Sequence, residues 1–86
     1  MLTVLKFSAQ WCFPCKKLSP IYDNVKATTI GVTFKEIDID VEPDLAVQYK
    51  IMSVPTMVFE KDGLEVKRIV GLVKEADITK AISDMR

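Results

Sequence analysis

Two cysteines three positions apart, Cys12-Phe13-Pro14-Cys15, follow a β-rich run, Thr3 to Phe7, and open a helical pattern. A strand that ends in a short polar loop and feeds a helix starts a βαβ unit, which constrains this chain more than any other feature. Leu18, Ile21, Tyr22 and Val25 recur at the spacing of one buried helical face, so a helix is expected from near Cys12 to about Ala27, bent by Pro20. A second strand is expected over Thr33 to Asp38, with Phe34, Glu36 and Asp38 on one face and Lys35 and Ile37 on the other. Its polarity suits a sheet edge. Asp40 to Lys50 reads as a short helix with Pro43 near its first turn, followed by the loop Ile51 to Pro55. Thr56 to Glu60 and Leu64 to Val70 form two strands across Lys61-Asp62-Gly63, where an Asp-Gly step supplies the positive dihedrals of a tight hairpin. Ile78, Ala81, Ile82 and Met85 share one face of a last helix over Lys74 to Met85.

The order is βαβαββα. A right-handed crossover makes the first two strands parallel neighbours, and the hairpin completes a four-stranded mixed sheet with three helices on both faces, an α/β fold. At 86 residues the chain is expected to be one domain, 1–86. Twelve basic and twelve acidic residues, interspersed, leave no electrostatic footprint for nucleic acid or an anionic membrane. The chain contains no histidine, which removes the commonest general base, and two cysteines are too few soft ligands for a closed zinc site. No metal is expected. The first residues lack a basic segment and a long apolar stretch, so a cytoplasmic protein is expected, and with no heptad or large apolar stripe a monomer is expected.

The cysteine pair reads as a redox dithiol, half a metal site or an incidental core pair, with redox favoured in a reducing compartment. Cys12 at a helix N-terminus meets free backbone N–H groups and the positive end of the helix dipole, which lowers its thiol pKa from about 8.5. It is the expected nucleophile. Cys15, one turn further in and shielded, is placed to resolve a mixed disulfide on Cys12. Pro14 fixes its backbone angle in the first turn, where no donor is needed, and either holds the sulfurs in register or simply starts the helix.

The segment Phe7-Ser8-Ala9-Gln10-Trp11-Cys12-Phe13-Pro14-Cys15-Lys16 resembles the active-site segment of thioredoxins, and Val54-Pro55-Thr56 resembles their cis-proline segment. Pro20, Asp38-Ile39-Asp40, Gly63 and Val70-Gly71 extend the likeness over essentially the whole chain. The resemblance implies a protein disulfide reductase without a bound cofactor. Cys12 attacks a substrate disulfide, Cys15 resolves it, and a thioredoxin reductase drawing on NADPH restores the dithiol. It also implies a cis Val54-Pro55 bond, with Val54 offering backbone hydrogen bonds to an extended substrate. Trp11, Phe13, Val54, Pro55 and Gly71 would then form an apolar substrate-binding patch around Cys12. Plain packing is the competing reading for Trp11 and Phe13, and relief of a turn for Gly71.

The chain departs from the family pattern in several places. Family members usually begin with an additional strand and helix before the segment matching Thr3 to Phe7, and this chain is expected to lack both. Phe13 stands where glycine is usual, which should alter partner choice and potential. Pro14 stands where many disulfide oxidases carry histidine, so a reductant is expected. Lys6 falls where the family carries a buried aspartate, and Glu36 where it carries that aspartate's lysine partner, so the pair is kept with its signs exchanged. Either Glu36, alone or through Lys6, relays a proton to Cys15 while Lys6 favours the thiolate, or the two form only a structural ion pair. A glutaredoxin-like reductase fed by glutathione is the enzymatic alternative, and a thiol-independent binding subunit is the alternative from another class.

Overall fold

Leu2, Val4, Leu5 and Phe7 are all buried, so the strand they form is covered on both faces and takes a central place in the sheet. The structure, a computed structural model, describes all of residues 1–86. Its elements are β1 (Leu2–Ser8), α1 (Phe13–Thr28), β2 (Val32–Asp38), α2 (Pro43–Gln48), β3 (Thr56–Lys61), β4 (Leu64–Val70) and α3 (Glu75–Met85). The sheet runs β2-β1-β3-β4, with β1 parallel to β2 and antiparallel to β3, and β3 antiparallel to β4. The polar strand β2 is an edge, as its composition predicts.

The pleat sends alternate residues of β1 to opposite faces, and each face is covered by helices. Leu2 and Val4 meet Met57 and Phe59 of β3 under Leu18, Tyr22 and Val25 of α1, and Ile78 and Ile82 of α3 close the same core. Leu5 and Phe7 turn the other way, to Ile37 and Val58, beneath Leu45 of α2 and Tyr49. The Phe7 and Tyr49 rings lie 5.3 Å apart, a tilted aromatic pair. Lys6 shares the α1 side with Val4, beneath Ser19 and Tyr22.

The helix after β2 is shorter than the expected Asp40 to Lys50, spanning Pro43–Gln48. At its start the Asp38 carboxylate accepts the Asp40 N–H at 2.9 Å, an Asx turn that holds residues 38–40 out of the helix. At its end Lys50 takes a positive φ of 55°, and the Lys50 and Ile51 N–H groups donate to Val47 and Ala46 carbonyls. The hairpin turn is as tight as its Asp-Gly step predicts. Asp62 and Gly63 have φ of 53° and 83°, between the paired residues Lys61 and Leu64.

Candidate active site

β1 and α1 together place the two cysteines. After Ser8, the chain turns through Ala9 to Trp11, and the Cys12 N–H returns to the Ala9 carbonyl at 3.2 Å. Cys12 is the N-cap of α1, with extended backbone (φ −88°, ψ 109°), so its side chain faces the free N–H groups of the first turn. Its Sγ accepts the Cys15 N–H at 3.2 Å. Pro14, inside that turn, lacks a donor where the helix needs none. Cys12 and Cys15 are joined by a disulfide with Cα atoms 5.2 Å apart. Both are buried, at 4 % and 3 % exposure, so access to Cys12 in this oxidised state lies along a narrow front.

That front is bounded by the loop before β3. The Val54–Pro55 peptide is cis, and the Val54 carbonyl oxygen lies 3.6 Å from Cys12 Sγ. Gly71, at φ +94°, donates its N–H to the Pro55 carbonyl at 2.8 Å, tying the end of β4 to this loop. A side chain at Gly71 would meet open space but a strained backbone, so the turn itself calls for glycine. Trp11 and Phe13 stand 68 % and 65 % exposed beside Cys12 in sequence, whereas Val54 and Gly71 are half-buried. Pro55 is buried, so it lies beneath the patch expected to contain it and contributes by seating Val54. Trp11 Nε1 donates to Asp40 Oδ2 at 2.8 Å, and the Lys17 ammonium sits 4.8 Å from the centre of the Phe13 ring. Both aromatic side chains are thereby held although exposed.

The chain matches the thioredoxin family model over residues 1–84. It is 43 % identical over 82 residues to thioredoxin of Chlamydia trachomatis, covering 95 % of this chain and 80 % of that one. The chain belongs to the thioredoxin family. Crystal structures agree. Thioredoxin of Nicotiana alata superposes with a TM-score of 0.93 at 36 % identity, over 99 % of this chain and 73 % of that one. The Fasciola hepatica thioredoxin gives 0.93 at 34 %, over 99 % and 81 %. Family membership together with the bonded Cys12–Cys15 pair makes the protein a thiol–disulfide oxidoreductase, with chemistry of the protein disulfide reductase kind. The glutaredoxin alternative is not favoured.

Beneath the cysteines the sign-exchanged pair is present. Lys6 and Glu36 are register partners across β1 and β2, with Nζ 3.0 Å from Oε1. Lys6 is 1 % exposed and the Glu36 side chain 49 %. Lys6 Nζ also donates to Ser19 Oγ at 3.1 Å and lies 4.7 Å from the centre of the Tyr22 ring. Ser19 and Asp40 are the two site residues that sequence reasoning did not connect. Nothing in their spacing signals the contacts, because each is made across the fold, Ser19 to Lys6 and Asp40 to Trp11.

The unequal burial of the pair predicts unequal costs. Glu36→Ala strands a buried ammonium and is expected to lose about 1–3 kcal/mol, reduced from the fully buried case by water at the carboxylate. Lys6→Met leaves Glu36 in contact with solvent and is expected to be neutral or stabilising. Urea unfolding of the two variants checks this, and equal losses would refute it.

Proposed function

We propose that this protein reduces disulfides of extended or unfolded protein segments, and that a thioredoxin reductase supplied by NADPH returns it to the dithiol. Cys12 is the attacking nucleophile and Cys15 the resolving thiol. The observation that carries these roles is Cys12 at the N-cap of α1, its sulfur already accepting an N–H of the first turn at 3.2 Å. The same donors would stabilise a thiolate there, and a thiolate is the attacking species. Pro14 holds the turn. Val54, its carbonyl 3.6 Å from the sulfur, is the backbone element a strand-like substrate would pair with, and Pro55 and Gly71 seat that loop. Trp11 and Phe13 supply exposed apolar surface beside the cysteine, and Lys6 and Glu36 support the site from below. Both cysteines and the facing loop come from one chain, which supports reading residues 1–86 as one domain working as a monomer, and its place is read as the cytoplasm. No helix is long and apolar enough to cross a membrane.

The test is NADPH oxidation with insulin as substrate, under two electron supplies. Turnover is expected with a thioredoxin reductase and not with glutathione plus glutathione reductase. Turnover through glutathione alone would overturn the assigned donor, and turnover through neither would overturn the reductase reading.

A further inference from the structure

Lys6 takes no step in the exchange just described, yet it is among the largest fully buried side chains of the protein. It lies against the turn of α1 that carries Cys15. Its ammonium donates to Ser19 Oγ at 3.1 Å, and the Ser19 hydroxyl donates onward to the Cys15 carbonyl at 3.2 Å. The ion pair with Glu36 is therefore directional. Its cation is enclosed, 1 % exposed, while its anion is half in water. Solvent screens the outward carboxylate far more than the buried ammonium, so the pair presents Cys15 with a net positive charge.

The other ionisable groups around Cys15 do not cancel this charge. An open pocket of about 450 Å³ is lined by Cys15, Ser19, Lys16 and Asp38, among others. Lys16 on α1 adds to the positive sign, and Asp38 on β2 has one carboxylate oxygen engaged by the Asp40 N–H. Tyr22, the ionisable neighbour of Lys6 on α1, stays neutral. Burial, and then the Glu36 charge, push its hydroxyl far above the ordinary tyrosine range. Ala9, Ile39 and Val54, which complete the packing around the disulfide, carry no charge.

We propose that Lys6, held by Ser19 and Glu36, is a positioning residue that sets a fixed positive charge beneath Cys15 and so stabilises the thiolate that closes the disulfide. The inference rests on the disulfide-exchange reading above. In that step the Cys15 thiolate attacks Cys12 Sγ of the mixed disulfide. The Cys12–Cys15 bond forms, the bond from Cys12 to the substrate sulfur breaks, and that sulfur leaves as a thiolate. The Cys15 proton passes to water in the pocket, and water protonates the leaving thiolate. The two protein thiols are oxidised and the substrate disulfide gains their two electrons, so no further reagent enters.

A fixed charge shifts the redox equilibrium of the dithiol, whereas a proton relay changes only the rate at which it is reached. The parent, Lys6→Met, Lys6→Arg and Glu36→Gln are equilibrated with reduced and oxidised glutathione at about pH 7 and about pH 9, and the fraction of protein disulfide is read by thiol alkylation. The charge acts only on an ionised thiol, so its effect grows with pH. Lys6→Met is expected to raise the equilibrium constant for oxidation of the dithiol, by roughly tenfold at the higher pH and less at the lower. Glu36→Gln, which removes the opposing anion, is expected to lower it by a smaller factor, and Lys6→Arg to stay near the parent. Shifts of the same sign for Lys6→Met and Glu36→Gln, or no shift at either pH, overturn the proposal. Were Lys6→Met not to fold, the direction given by Glu36→Gln decides alone. The equilibrium needs no reductase partner. A parent protein that exchanges with glutathione yet reduces no protein disulfide refutes the reductase reading and leaves this inference to be decided by the variants.

Discussion

Cys12→Ser is expected to return protein disulfide reduction to the uncatalysed rate, a loss of at least about a thousandfold, because a serine hydroxyl is not ionised at neutral pH and cannot replace a thiolate nucleophile. Cys15→Ser is expected to behave differently. Cys12 keeps its N-cap position and its side of the Val54 loop, so the first attack proceeds and a mixed disulfide with the substrate forms. The resolving sulfur is then missing, and the adduct accumulates. Mass spectrometry of the two variants after exposure to an aromatic disulfide reads the difference directly. An adduct on Cys12 in the Cys15→Ser protein and none on Cys15 in the Cys12→Ser protein is the expected pattern. The reverse pattern would exchange the two roles.

The largest loss of stability is expected at Tyr22. Its ring is fully buried in the core between α1 and the sheet, packs edge-on to Phe34 with ring centroids 5.7 Å apart, and lies beside the Lys6 ammonium. Its hydroxyl lies 2.9 Å from the Lys35 carbonyl and 3.2 Å from the Val4 carbonyl, and so stitches the active-site helix to β1 and β2. Tyr22→Ala removes the ring, leaves a cavity beneath the helix and exposes Lys6 to it. The expected cost is about 3–5 kcal/mol. In a domain of this size that lowers Tm by on the order of 20 °C, measurable by calorimetry. Tyr22→Phe keeps the ring and should lose only about 1 kcal/mol with the hydrogen bonding.

The same residue sets an alkaline limit. The Tyr22 hydroxyl has its pKa raised in the folded state, chiefly by burial, so the proton is bound more tightly folded than unfolded. The native state is then unaffected below the unfolded tyrosine value of about 10 and loses stability as the pH rises above it. Tyr22→Phe should therefore narrow its deficit relative to the parent above about pH 10, as followed by unfolding at fixed urea. A deficit independent of pH would mean that the hydroxyl is not the titrating group.

Most of the architecture and the chemistry of the site is legible in the chain because it is written locally. Periods of two and 3.6 residues mark the strands and the two long helices, Asp62-Gly63 marks the hairpin, and Cys12 to Cys15 at a strand-to-helix junction marks the redox pair. Each of these depends on residues close in sequence. The start of α2 was less legible, because the Asx turn at Asp38 draws Asp40, the first residue of the expected helix, out of the helical pattern.

The environment of Lys6, by contrast, arises only when the chain has folded. Alternation along β1 places this lysine on the helical side, and likeness to the family pairs it with Glu36. Neither shows that Ser19 links Lys6 to the Cys15 turn or that Tyr22 packs over its ammonium. Parallel register sets Lys6 opposite Glu36, the edge position of β2 leaves the carboxylate in water, and α1 packs Ser19 and Tyr22 over the ammonium. These are contacts between residues distant along the chain, and the charge they leave beneath Cys15 depends on relative burial, which exists only once the sheet and its helix have come together.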